Sequence, residues 1–114
     1  NRPMVFENLG VAYNRIGQPK DAENAFTRAT QLNPEQSRAL IELGEIRFDE
    51  QNYIESRDYY RRYSEAGPST AKSLWLCVRL SRIFNDNNEE ASCSEALEGI
   101  FPGSDEYQQY KESA

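Results

Sequence analysis

The sequence predicts an all-α fold, a solenoid of three stacked helix pairs that ends in one shorter helix. Two observations predict it. Pro34, Pro68 and Pro102 are separated by a constant interval of 34 residues, and a fixed period of this length is typical of helical repeat proteins. Between the prolines, apolar residues recur every three or four positions, which places them on one face of a helix. A single helix pair cannot bury such a face alone, so neighbouring pairs stack.

The first repeat carries the most complete motif. Its apolar and small residues read Phe6-x2-Leu9-Gly10-x2-Tyr13, then Ala22-x3-Phe26, then Pro34. This is the tetratricopeptide pattern, with Phe6 in the position where tryptophan is usual. The motif weakens along the chain, because the second repeat keeps Leu43 and Gly44 whereas the third has Cys77 and Val78 at those positions.

The prolines also predict the domain organisation. Two repeats, a degenerate third repeat and a capping segment are expected at residues 1–34, 35–68, 69–102 and 103–114. In the last segment Ser104 is a suitable N-cap for a helix that runs to Glu112. A short helix with a polar outer face is what the end of a solenoid requires, so we expect a capping helix here.

The composition argues against an enzyme and against nucleic-acid binding. A net charge of −6 offers no surface that would displace counterions from phosphate groups. The chain has no histidine, which excludes a Ser–His or Cys–His pair and disfavours a zinc site. The glycines are scattered and form no phosphate-binding loop. We therefore expect no catalytic residue, no metal and no cofactor, and a role in binding other proteins.

No apolar run approaches the roughly 18 residues that a transmembrane helix requires. The chain begins with Asn1 where a helix is expected to start, and we interpret it as part of a longer protein.

In this fold the first helix of each repeat lines a concave surface. Ile41, Phe48 and Trp75 are apolar, are not required by the motif's own core, and fall on that side. A tryptophan surrounded by arginines has the composition of a protein-interaction hot spot. An alternative stays open, in which Trp75 packs between the second and third repeats instead of contacting a partner. The predicted partner-binding groove consists of Ile41, Phe48, Trp75, Arg38, Arg79 and Arg82.

The two cysteines fall on the two antiparallel helices of the third repeat. The turn near Asn87 lies ten residues from Cys77 and six from Cys93, so the two cysteines are expected to be only roughly level across the pair. A disulfide between them would stabilise the fold by about 3 kcal/mol in the loop-entropy description. The alternative is a pair of buried free thiols that act as small apolar residues.

Three stretches of the chain resemble one known family. They are Phe6–Tyr13, Lys72–Leu76 with Arg79–Arg82, and Phe101–Tyr107. Together they are similar to the C-terminal half of the type IV pilus biogenesis and stability protein, the tetratricopeptide pilotin of Gram-negative bacteria. The Ser-Leu-Trp-Leu segment and the Phe-Pro-Gly-Ser segment, at their observed separation, carry most of the resemblance.

The resemblance implies a function and an address. Members of that family are outer-membrane lipoproteins that face the periplasm and assist the localisation and multimerisation of the type IV pilus secretin. Membrane attachment would occur only through an N-terminal lipid anchor that lies outside this chain. The implied periplasmic location favours the Cys77–Cys93 disulfide, because disulfides persist in oxidising compartments.

Two further functions are compatible with the sequence. The chain could be a general tetratricopeptide scaffold or a co-chaperone-like adaptor that binds another partner, or it could belong to an enzyme. No residue constellation in the sequence points to the third function.

Overall fold

The computed structural model describes residues 1–113, and all regular secondary structure in this range is helical, which confirms the predicted all-α class. Seven helices follow one another in the described chain: α1 Arg2–Arg15, α2 Pro19–Leu32, α3 Ser37–Asp49, α4 Tyr53–Ala66, α5 Ala71–Ile83, α6 Asn87–Ile100 and α7 Asp105–Glu112. The chain divides into two compact units, Asn1–Gly67 and a second unit that begins at Pro68.

Local sequence signals explain where the helices begin. Pro19 occupies the first turn of α2, where its missing N–H would have had no partner in the helix. Thr70 and Ser73 form a capping box at the start of α5, in which each hydroxyl accepts the backbone N–H of the other residue. Asp86 and Ser104 accept backbone N–H groups in the first turns of α6 and α7. The predicted helix after Ser104 is therefore present.

The turn inside each helix pair contains one residue with a left-handed backbone. Gly17, Gln51 and Asn85 have φ angles of 76°, 63° and 56°. Their positions repeat the 34-residue spacing of the prolines, because 51 minus 17 and 85 minus 51 both equal 34. The third pair thus keeps the repeat's turn geometry although its side-chain motif has changed.

The core of the first unit depends on a close approach between α1 and α2. Phe26 on α2 is fully buried, and a Cβ atom added at Gly10 on α1 would lie only 2.6 Å from its ring. Glycine at this position therefore allows the phenylalanine to pack directly against the α1 backbone. The buried residues of this core are Ala22, Phe26, Ala29, Ala39 and Leu43.

One side of α1 is apolar and exposed. The side chains of Met4, Val5, Leu9 and Ile16 are between 40% and 65% exposed. An open cavity of about 220 Å³ lies beside Leu9 and is lined in part by Arg28. Helix α1 thus presents an apolar surface that no other helix of the first unit covers.

The second unit is built from α5, α6 and α7. Leu76 and Val78 on α5 and Leu97 on α6 are fully buried between the helices. Cys77 and Cys93 are joined by a disulfide, with their Cα atoms 6.2 Å apart. The covalent link lies at the position where the third repeat departs from the tetratricopeptide pattern.

Helix α7 packs against both α5 and α6, and none of its own residues is buried. Among residues 1–113, no helix combines the length and the apolar character needed to cross a membrane.

Candidate functional site

The first unit has a polar cavity between α1 and α3. The acids near it already have partners: Glu7 accepts the backbone N–H of Ala39 at 2.9 Å, in the first turn of α3. Glu42 is largely buried and contacts Arg38 at 3.5 Å and the Asn14 amide at 3.2 Å. The cavity has a volume of about 380 Å³ and is lined by Glu7, Asn8, Val11, Ala12, Arg15 and Arg38.

Arg15 is the cation of this cavity that has no partner in the described chain. Within residues 1–113 its guanidinium group has neither a hydrogen bond nor an ion pair. It is therefore available to an incoming acidic group, whereas Arg38 already interacts with Glu42. The predicted groove contains Arg38 but not Arg15.

The apolar residues predicted for the groove are less exposed in the first unit than expected. Ile41 is only 3% exposed. Phe48 is half-buried, and its ring meets that of Tyr53 edge to face with centroids 5.0 Å apart. Phe48 offers part of its ring at the surface, whereas Ile41 is a core residue in this structure.

Trp75 lies at the centre of an aromatic and cationic cluster in the second unit. The guanidinium carbons of Arg79 and Arg82 lie 5.2 Å and 5.8 Å from its ring centre, which is the geometry of cation–π contacts. The Nε atom of Arg79 also donates to the Trp75 carbonyl oxygen at 3.3 Å. The three residues that the sequence grouped on α5 are thus brought together.

Helix α7 covers this cluster. Trp75 is only 9% exposed, and its indole N–H donates to Gln109 Oε1 at 3.0 Å. The ring of Tyr110 meets the indole edge to face at 6.4 Å and lies 5.6 Å from the guanidinium carbon of Arg82. Arg82 also donates to Ser113 Oγ at 2.9 Å. Trp75 is therefore not an open groove residue here. The packing that buries it includes α7, a contact that was not among the predictions from the sequence.

Helix α7 is also attached to α6. Tyr107 stacks on Tyr110, with ring centres 6.1 Å apart, and hydrogen-bonds Glu98. Loss of contact with water and the nearby Glu98 carboxylate both raise the pKa of the Tyr107 phenol above its ordinary value of 10.0. The neutral phenol is therefore the form that suits the docked helix.

A second charged cluster, in the first unit, surrounds an arginine that stands where the repeat motif has a tyrosine. Arg47, at the position equivalent to Tyr13, contacts Glu23 at 2.8 Å, Glu50 at 2.9 Å and Glu55 at 3.3 Å. The hydrogen bond with Glu23 is the main reason why the pKa of Arg47 lies above its ordinary value. This network links α2, α3 and α4 and has a structural role.

The disulfide lies beside a carboxylate. Glu89 Oε1 is 3.6 Å from Cys77 Sγ, and the donor atoms of Cys77, Glu89 and Cys93 lie within 4.8 Å of one another. Two thiolates and a carboxylate could bind a metal, but both sulfur atoms are used by the disulfide. The oxidised chain therefore offers no thiolate ligand at this position.

A family profile described as tetratricopeptide repeat matches residues 8–71, which is more than half of the chain. The chain belongs to the tetratricopeptide repeat family. The match covers the first unit from residue 8 onwards, including the contact between Gly10 and Phe26, and it ends at the start of α5.

Among curated proteins, this tetratricopeptide chain is 34% identical over 110 residues to the type IV pilus assembly protein PilF of Pseudomonas aeruginosa strain PAO1. The match covers 96% of this chain and 44% of that protein. A second relative is the small glutamine-rich tetratricopeptide repeat-containing protein 2 of Mycosarcoma maydis, 30% identical over 69 residues, or 60% of this chain and 20% of the relative.

Two solved structures extend the similarity to the fold. The structure of Pseudomonas aeruginosa PilF superimposes with a TM-score of 0.92 and 33% identity, over 99% of this chain and 51% of that chain. The structure of PilW, described as a widely conserved type IV pilus biogenesis factor, gives a TM-score of 0.69 at 21% identity, over 95% of this chain and 50% of that chain, and it shows the fold alone. The chain spans about half the length of these pilus relatives.

The predicted resemblance to type IV pilus biogenesis proteins of the tetratricopeptide class is thereby confirmed. Nearly the whole length of this chain is homologous to PilF.

Proposed function

We propose that this chain is a non-catalytic protein-binding module of a pilotin, which assists outer-membrane localisation and multimerisation of the type IV pilus secretin. The observation that carries the proposal is the similarity to PilF, at 34% identity over 96% of the chain and a TM-score of 0.92. In this proposal the full-length protein is a lipoprotein on the periplasmic face of the outer membrane. The disulfide supports that location, because disulfides persist in oxidising compartments.

Two surfaces of the described chain suit a protein partner. The cavity lined by Arg15 offers a free cation in the first unit, and the Trp75 cluster in the second unit contains hot-spot residue types beneath α7. Neither carries the nucleophile–base pair expected of an enzyme of the acyl-transfer type. Both surfaces are better suited to recognition than to reaction.

The test is a titration of this chain with purified periplasmic and C-terminal segments of a type IV pilus secretin, followed by calorimetry. We expect at least one segment to bind. The variant Arg15→Glu should weaken binding of a segment that uses the first-unit cavity, whereas Lys20→Glu, with the same charge change at an 85% exposed side chain outside the cavity, should not. Absence of binding by every secretin segment would contradict the proposal.

A second candidate function is a general scaffold or co-chaperone-like adaptor. The observation that favours it is the 30% identity to the small glutamine-rich tetratricopeptide protein, which does not belong to the pilus group by its description. Binding of a different protein partner in the same titration, without any secretin binding, would support this alternative.

A further inference from the structure

The surface of α5 beneath α7 has the properties of a binding site that is already filled. Trp75, Arg79 and Arg82 belong to the residue types that dominate binding energy at protein interfaces. Trp75 is nearly excluded from water, as hot-spot residues usually are in a complex. The group that excludes the water is a short helix of the same chain, and its contacts are those of a bound peptide.

Helix α7 has few structural reasons to be stable on its own. It contains eight residues, and isolated helices shorter than about 12–15 residues are marginal in water. None of its residues is buried, and it is connected to α6 by a short loop. Its order therefore depends on a small set of contacts with α5 and α6, made through Tyr107, Gln109, Tyr110 and Ser113.

We propose that α7 is an exchangeable occupant of this α5 surface, and that a partner protein binds there by inserting a helix of the same chemistry. That helix carries two aromatic residues three positions apart, like Tyr107 and Tyr110, and a hydrogen-bond acceptor beside the second, like Gln109. This inference rests on the proposed function as a protein-binding module. It names the class of segment that the module binds, an amphipathic helix laid on a complementary surface.

The chemistry of the α5 surface selects this occupant. Arg82 pairs with Glu90 of α6 at 2.8 Å and lies 5.6 Å from the Tyr110 ring centre, so its remaining contact favours an aromatic ring. The indole N–H requires an acceptor such as the Gln109 amide oxygen. An apolar helix without an acceptor would leave that N–H buried without a partner, which is costly.

The tether of α7 sets the affinity that the partner must reach. A segment held by a short linker has an effective concentration of about 1 mM or more. A competing helix can bind only the chains in which α7 is undocked, so its apparent affinity is its intrinsic affinity multiplied by that undocked fraction. A variant with weakened α7 should therefore bind a free helix better than the wild-type chain does.

The experiment uses the full chain and its single tryptophan as the reporter. The opened variant is Gln109→Ala with Tyr110→Ala, which removes two contacts to Trp75 and leaves the α5 surface intact. The matched control is Gln108→Ala with Glu112→Ala, because these two residues pair with each other and lie on an exposed part of α7. Far-UV circular dichroism establishes that both variants remain folded.

The probe is a peptide with the sequence of residues 104–113, titrated against each chain. We expect Trp75 emission in the opened variant to shift to longer wavelength, and the peptide to reverse that shift. Its apparent Kd should be at least about tenfold lower for the opened variant than for the wild type and the control. Equal binding by all three chains, or no reversal in the opened variant, would overturn the proposal.

Two further measurements separate this inference from its alternatives. Concentration-dependent dimers of the wild-type chain that disappear in the opened variant would show that α7 of a second copy is the occupant, and would overturn a partner helix. Secretin segments that bind the opened variant and the control equally well would overturn this inference while the proposed function stands. Peptide binding without any secretin binding would support the α5 site and contradict the pilotin function.

Discussion

Substitution of Gly10 by alanine tests the close approach on which the first unit is built. An alanine Cβ would lie 2.6, 2.7 and 2.8 Å from three ring atoms of Phe26. Carbon atoms pack best at about 3.5–4.0 Å, so the ring would have to move by roughly 1 Å. Phe26 is fully buried among other core residues, so a movement of its ring has to displace them.

The magnitude is the difference between two opposing effects. Overpacking in a filled core costs about 1–3 kcal/mol. Replacing glycine by alanine inside a helix returns at most about 1 kcal/mol. The overlap between the added Cβ and the Phe26 ring is severe, which places the overpacking cost of Gly10→Ala in the upper part of its range. We therefore expect a net loss of about 1–2 kcal/mol in the free energy of unfolding.

Urea denaturation followed by far-UV circular dichroism measures this loss. The matched control is Gly99→Ala on α6, where an added Cβ meets no atom within 4 Å, and this variant should be unchanged or slightly more stable. A double-mutant cycle with Phe26→Leu then tests the cause, since a smaller side chain should remove most of the cost of alanine at Gly10. Equal or higher stability of Gly10→Ala, or no coupling in the cycle, would refute the packing argument.

Three further predictions concern the charges, the disulfide and α7. Reducing the Cys77–Cys93 disulfide should lower the free energy of unfolding by about 3 kcal/mol, as measured by urea curves with and without a reductant; identical curves would contradict the bridge. The variant Arg47→Met should lose about 1–3 kcal/mol, because three carboxylates lose their shared cation, and thermal unfolding should show it; an unchanged midpoint would mean that the network adds nothing. Alkaline pH should loosen α7, because the raised pKa of Tyr107 means that its stabilising contribution is present below pH 10.0 and is lost as the pH rises through the folded-state pKa. A pH titration of Trp75 emission measures this loss, and Tyr107→Phe should abolish this component.

The sequence was sufficient to predict the all-α class, the repeat period and the helix after Ser104. The constant proline interval and the motif that contains Gly10 and Phe26 are periodic signals, and each depends on residues whose spacing is visible in the chain. The cap at Ser104 is equally local, because its hydroxyl bonds within the first turn of α7. Such features follow from backbone geometry and can be predicted without knowing what packs against them.

The environment of the predicted site residues was harder to predict. Helical periodicity correctly grouped Trp75 with Arg79 and Arg82, but it contains no information on what covers them. The sequence of α7 predicts only a polar capping helix. Its contact with Trp75 depends on Gln109, which lies 34 residues further along the chain. The same limit applies to Arg47, which appears in the sequence only as a departure from the motif, because its acidic partners come from three different helices or turns.

Helices α1 and α7 differ in the apolar surface that they expose, so added repeats should stabilise the chain at one end more than at the other. A helix pair fused ahead of residue 1 could cover Met4, Val5 and Leu9, which are between 40% and 60% exposed. Full burial of an exposed side chain of this kind contributes about 1.5–3 kcal/mol, so each of these would gain roughly half of that. A pair fused after residue 113 would meet α7, which presents mostly polar and charged side chains and would bury little. Designed extension by added repeats should therefore stabilise the chain at its α1 side only. The same asymmetry makes α1 the helix to modify first if concentrated solutions of the chain associate.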